Sequence, residues 1–137
     1  SMKVMFDANI LLDVFQDRKP WYEASAACVD HVLRGTVEGH IPAHVLTTFY
    51  YVLKKYGSPQ SAQEAVLWLL EHFTVTPCDH DVLDVAIQGE IRDFEDAVVA
   101  VSAERAGCVY ILTRNPDDFT KTPLQIVSPV ELLQVLQ

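Results

Sequence analysis

The chain has 137 residues, half of them apolar, and a formal net charge of −9. That length suits one hydrophobic core, so a single domain over residues 1–137 is expected, with Ser1 ahead of Met2 read as a remnant of expression. The acidic balance excludes a general nucleic-acid coating protein, whose grip on phosphates comes from Lys and Arg displacing counterions; it suits carboxylates gathered around a divalent cation, or simply a solubilising surface.

The sequence contains no apolar run of 18 residues, and Lys3 to Ala8 lacks the basic-then-apolar pattern of a leader. A soluble, cytoplasmic protein with no membrane partner is therefore expected. Cys28, Cys78 and Cys108 are odd in number and form no C-x-x-C. They read as reduced thiols serving as small buried hydrophobes.

In chain order, Lys3 to Ala8 is a short apolar run with Asp7 at its end, and Asn9 to Phe15 crowds its apolar residues on one helical face. The reading is strand, tight turn, helix. Pro20 is expected in the first turn of a second helix, which carries Trp21, Ala24, Ala27, Cys28 and Val32 before Gly35 stops it. Thr36 to Ile41 is a short strand, and Pro42 opens a helix through Val45, Phe49 and Leu53 to Gly57. Ser58-Pro59 supplies an N-cap and N1 proline for the next helix, followed by a strand over Phe73 to Thr76. A helix begins at Asp79 or His80 and runs to about Ile91; another spans Phe94 to Ala106 and ends at Gly107. Cys108 to Thr113 reads as a strand covered on both faces, Leu124 to Val127 as the last strand, and Ser128-Pro129 opens a final helix. Strands alternating with helices predict an α/β fold with a mainly parallel central sheet and helices on both faces.

In such sheets, ligands bind beyond the carboxyl ends of the strands. Three acidic places fall there: Asp7; Asp93 and Asp96 at a helix start; and Asn115, Asp117 and Asp118 after the last buried strand. Two carboxylates about 4 Å apart repel by roughly 4 kcal/mol at an effective dielectric near 20, a cost that a divalent cation removes. Mg²⁺ keeps several waters, so one or two direct carboxylates suffice, and the ion lowers the pKa of an attacking water at a phosphodiester. Each place also has a plainer reading. Asp7 with Asn9 can cap a helix, Asp93, Glu95 and Asp96 can be an acidic first turn favoured by the helix dipole, and Asn115-Pro116-Asp117-Asp118 is ordinary turn chemistry. Their joint placement at strand ends favours the site.

Phe6-Asp7-Ala-Asn9-Ile-Leu-Leu-Asp13, Asp93-Phe-Glu-Asp96-Ala97 and Tyr110-Ile-Leu-Thr113-Arg-Asn115-Pro-Asp117-Asp118-Phe119, in this order over nearly the whole chain, closely resemble the signature segments of PIN domains. The resemblance implies a PIN-like three-layer sandwich and a Mg²⁺- or Mn²⁺-dependent ribonuclease acting on RNA. Such a protein is most often the toxin of a VapBC-type toxin–antitoxin pair, silenced by a protein antitoxin and forming a homodimer. Carried over by position, Asp7 matches the first family acid and Asp96 the acid of the second cluster's helix. Asp93 accompanies it, and the implied metal ligands are Asp7, Asp96 and Asp93. Asn115 and Asp118 fill the post-strand positions.

One position departs from the family pattern. Where PIN domains commonly carry an acid early in the helix after the second strand, this sequence has Thr48, with Thr47 the alternative. A hydroxyl can bond a metal's water but carries no charge, so a catalytically impaired scaffold binding RNA or a protein is the second reading. His44, one turn before Thr48, approaches the same edge without being assigned as a ligand.

His40 and His44 are separated by Pro42, which argues against a helical zinc pair. Phe49, Tyr50, Tyr51 and Tyr56 read as helical core rather than base-stacking platforms. Arg18, Lys19, Lys54, Lys55, Arg114 and Lys121 are either a phosphate funnel or solvated surface, with Arg114 beside the site. An acidic phosphotransfer domain fits less well, because no lysine follows the last apolar strand.

Overall fold

The computed structural model describes residues 1–137. Its centre is one five-stranded sheet in the order β3-β2-β1-β4-β5, parallel throughout. The strands are β1 (Met2–Phe6), β2 (Val37–Pro42), β3 (Thr74–Thr76), β4 (Tyr110–Leu112) and β5 (Gln125–Val127). Between them run α1 (Ala8–Phe15), α2 (Tyr22–Leu33), α3 (Ala43–Tyr56), α4 (Pro59–His72), α5 (His80–Gln88) and α6 (Phe94–Ala106), with a 3₁₀ turn at Pro116–Phe119 and α7 (Pro129–Val135) closing the chain. The α/β reading and its element order hold.

Val4, Met5 and Phe6 are successive residues of β1 and all fully buried. Successive strand side chains point to opposite faces, so the central strand is covered on both. Gly39 of β2 shows how close one layer sits. A Cβ there would lie 2.5 Å from the Phe73 ring and 3.0 Å from Val32, so only glycine admits this approach. Phe73 packs edge-on to Phe6 at a centroid distance of 5.1 Å, fixing β1 under the same aromatic cluster.

Helix α6 lies against β1, β2, β3 and β4, and also packs on α5. Ala97, Val98, Val99, Ala100, Ser102 and Ala103 are all buried, as expected for a helix wedged between two layers, where small side chains allow close approach. Gly107 ends it as expected, in the left-handed conformation at φ +78.

Three local expectations are corrected. Pro20 is not in the first turn of α2, which begins at Tyr22 after a turn, because Trp21 and not the proline occupies the position before the helix. α5 stops at Gln88 instead of Ile91; Gly89 takes an extended conformation, and Ile91 turns back to pack on the core from outside the helix. Cys108 and Val109 precede β4 rather than forming it: the Cys108 N–H is spent on the carbonyl of Ala103, closing α6. Cys28 and Cys108 are buried as expected, while Cys78 is only partly so. No helix is long and apolar enough to cross a membrane.

Candidate functional site

The site is built where β1 and β4 end side by side. The Asp7 N–H donates to the Leu112 carbonyl at 3.0 Å and the Thr113 N–H to the Val127 carbonyl at 3.0 Å, so the ladder continues one residue past each strand. Asp7 and Thr113 therefore meet: the Thr113 hydroxyl donates to Asp7 Oδ2 at 2.8 Å, and the Ala8 N–H to Asp7 Oδ1 at 2.8 Å. Asn9 Nδ2 reaches the same Oδ2 at 3.3 Å. Asp7 thus caps α1 with one carboxylate oxygen and holds Thr113 with the other. Burial is the main reason its carboxyl is pushed above the ordinary range; the Thr113 and Ala8 bonds oppose that shift, and the charges of Glu95 and Asp118 add to it.

Asp96 comes from α6. Asp93 caps that helix, its Oδ1 accepting from the Asp96 N–H at 3.0 Å, which fixes where Asp96 stands. Burial, followed by the charges of Asp93, Asp7, Asp118 and Glu95, raises the Asp96 carboxyl from 3.8 to about 7. Four other acids, from β1's end, α6 and the 3₁₀ turn, are thus felt at one carboxylate. Phe119, 1% exposed, is sunk in the core and holds Asp118 beside it at the rim.

A cavity of about 550 Å³ opens here, lined by Asp93, Asp96, Asp117 and Asp118 together with Glu90, Arg92 and Lys121. Asp7 and Asn115 are not on its wall. Asn115 is exposed and its side chain makes no capping bond. None of Asp7, Asp93, Glu95, Asp96 or Asp118 has a Lys or Arg partner.

The donor set fits a hard divalent cation: the acids offer carboxylate oxygens, and no ion pair within the protein offsets their mutual repulsion. No three Asp, Glu, His or Cys side chains converge tightly enough to ligate one ion by themselves. Such a set suits an ion that keeps part of its water shell.

Thr48 and Thr47, the two positions read from sequence as standing in for an acid, both donate their hydroxyls to the His44 carbonyl within their own helix, at 3.2 and 2.8 Å. His44 Nε2 donates to the Glu95 carbonyl at 3.3 Å, tying the start of α3 to the start of α6. Glu95, read from sequence only as part of an acidic turn, brings its charge to both Asp7 and Asp96.

Arg114, read from sequence as a phosphate funnel or solvated surface, is not free surface. Its guanidinium grips fully buried Asp13 through two bonds of 2.6 and 3.0 Å and stacks at 3.9 Å over Trp21. The Arg114 N–H donates to Asn9 Oδ1 at 3.3 Å, so this clamp fastens the post-β4 loop to α1 behind Asp7. Asp13 and Thr113 were quoted as motif residues, but nothing in their spacing announced these contacts. Tyr51 and Tyr56 are 62% and 71% exposed, so only Phe49 and Tyr50 of that aromatic group join the core. His40 is buried against Glu38 at 2.6 Å and takes no part in the site.

Acids gathered past the strand ends of a parallel α/β sheet lie where such folds bind their ligands. Residues 3–117 match the PIN domain family model, and the chain belongs to the PIN domain family. It is similar to Ribonuclease VapC1 of Aquifex aeolicus, 24% identical over 98% of this chain and 95% of that protein. Similar solved structures include DNA-bound VapBC from Salmonella typhimurium, with TM-score 0.70 and 19% identity over 94% of this chain and 99% of that one. VapBC2 from Rickettsia felis, bound to a promoter DNA fragment, gives a TM-score of 0.69 and 17% identity over 93% and 98%. At these identities the structural likeness concerns the fold.

Proposed function

We propose that this chain is a metal-dependent endoribonuclease hydrolysing RNA phosphodiester bonds, and the toxin of a VapBC-type pair. The observation that carries it is the carboxylate cluster of Asp7, Asp96 and Asp118, drawn from three elements and forming no salt bridge with a Lys or Arg. The family and the names of its relatives support the same reading. Asp7 and Asp96 hold Mg²⁺ or Mn²⁺, with Asp93 and Asp118 behind them and Asn115 at the loop that carries Asp118. Such an ion, when bound, neutralises charge on the phosphodiester and activates a water without a protein nucleophile. The chain's own task is positioning. Thr113 and the Ala8 N–H orient the Asp7 carboxylate, the Asp93 cap places Asp96, and Glu95 supplies charge that Thr48 lacks.

The partners in this reading are RNA as substrate, a second copy of the chain in a homodimer, and an antitoxin whose basic segment suits the acidic cavity. The catalytically impaired scaffold is favoured by one observation, the Thr48 hydroxyl turned to its own helix. Cleavage of single-stranded RNA by the purified chain with and without Mg²⁺ separates the two. Magnesium-dependent cutting that Asp7→Ala abolishes supports the enzyme; cutting that survives Asp7→Ala belongs to a contaminant. An inert parent that gains activity on Thr48→Glu establishes the scaffold instead.

A further inference from the structure

Two cations on the cavity wall are unclaimed by the protein. Arg92 stands between α5 and α6, and Lys121 follows the 3₁₀ turn. Of the chain's arginines, Arg18 bonds Gln16, and Arg34, Arg105 and Arg114 pair with Asp30, Asp81 and Asp13; Arg92 alone has no side-chain partner. Lys121 likewise forms no ion pair, although Glu90, Asp93, Asp96, Asp117 and Asp118 share its cavity. Cations that stay unpaired beside so many carboxylates remain available to an external anion.

The cavity also continues. Glu90, Ile91 and Lys121 line a second hollow of about 230 Å³, which is bordered by Ala97, Ala100 and Pro123. Val85, which is 42% exposed, half-buried Ile91 and exposed Pro123 give it an accessible aliphatic wall. Its volume is below the roughly 300–1,000 Å³ of sites for drug-sized ligands, and suits one flat heterocycle.

We infer that the joined surface is a nucleotide subsite: Arg92 and Lys121 grip a backbone phosphate beside the cleaved one, and that nucleotide's base lies on Val85, Ile91 and Pro123. The inference rests on the nuclease reading for its substrate class. With no aromatic residue to stack on, the base contributes less than the phosphate, so binding is led by charge and responds to salt.

The test uses the full chain and labelled hexanucleotides of each of the four RNA bases. Binding is followed by anisotropy across a salt series in Ca²⁺, which neutralises the acids with looser geometry. Cleavage of a longer RNA in Mg²⁺ is measured separately. Arg92→Ala and Lys121→Ala are each expected to weaken binding severalfold and to lower the slope of log K against log salt, by about 0.7 between them, the value for one single-strand phosphate. The same variants raise KM with little change in kcat. Gly89→Leu probes the hollow. Its Cβ would meet only the Ala86 and Val85 carbonyls, at 3.5 and 3.7 Å, so the backbone accepts it. It should weaken binding and narrow differences among the four bases without altering the salt slope. Unchanged affinity and slope in all three variants, with a parent that still cleaves, overturns the subsite alone. A parent that neither binds nor cleaves overturns the nuclease reading with it.

Discussion

Replacing Asp13 by asparagine leaves the shape of the clamp behind Asp7 but removes its charge. Asp13 is fully buried and accepts two bonds from Arg114, whose side chain is 18% exposed and whose other neighbour is the Trp21 ring. Breaking a buried pair by removing one charge costs about 3–5 kcal/mol, because the remaining ion is left uncompensated. Residual exposure of Arg114 and its contact with Trp21 retain part of its solvation, which places the expected loss near the lower end, about 3 kcal/mol. In a chain of this length that lowers Tm by roughly 10 °C. Urea denaturation should show a lower midpoint at unchanged slope. Replacing both partners, Asp13→Leu with Arg114→Met, should recover most of the loss, since no unpaired charge then remains. A midpoint unmoved by Asp13→Asn, or a double variant no more stable than the single, would refute the clamp.

The raised Asp96 carboxyl gives a pH dependence with a defined sign. The folded metal-free protein holds this proton more tightly than the unfolded chain, so the associated stability is full below about 4 and is lost as pH climbs through about 7. Asp96 is partly exposed, so solvent screening reduces the effect to about 1–2 kcal/mol. Thermal melts in EDTA should show Asp96→Asn gaining on the parent from pH 5 to 8, and equal slopes for the two would count against it. Asp7→Asn keeps a capping side chain while removing a carboxylate that burial disfavours; it should abolish cleavage without lowering metal-free stability, as a paired activity assay and melt would reveal. Gly39→Ala drives a methyl into the Phe73 ring and should cost about 1–3 kcal/mol in urea denaturation, with no change if that layer can shift freely.

Much of this was legible in the sequence because the signals are local. The caps at Ser58-Pro59 and Ser128-Pro129, the glycine after Ala106 and the buried run of β4 fix elements from within a few residues. The acids were visible because three motif segments end strands or begin a helix. What stayed hidden depends on pairs distant in the chain. Asp13 and Arg114 lie 101 residues apart, and Arg114 read as either a phosphate funnel or surface because a charge's partner cannot be seen from its neighbours. Thr113 was a motif letter until the β1–β4 ladder set it against Asp7. Arg92 went unnoticed because α5 was read through Ile91, leaving no loop to place it in the cavity.

Anomalous diffraction from crystals grown with Mn²⁺ tests the cation site most directly. The expected result is one strong peak within about 2–2.5 Å of carboxylate oxygens of both Asp7 and Asp96, absent from Asp7→Asn crystals. A peak remote from both residues, or none at saturating Mn²⁺, would contradict a cation-centred nuclease.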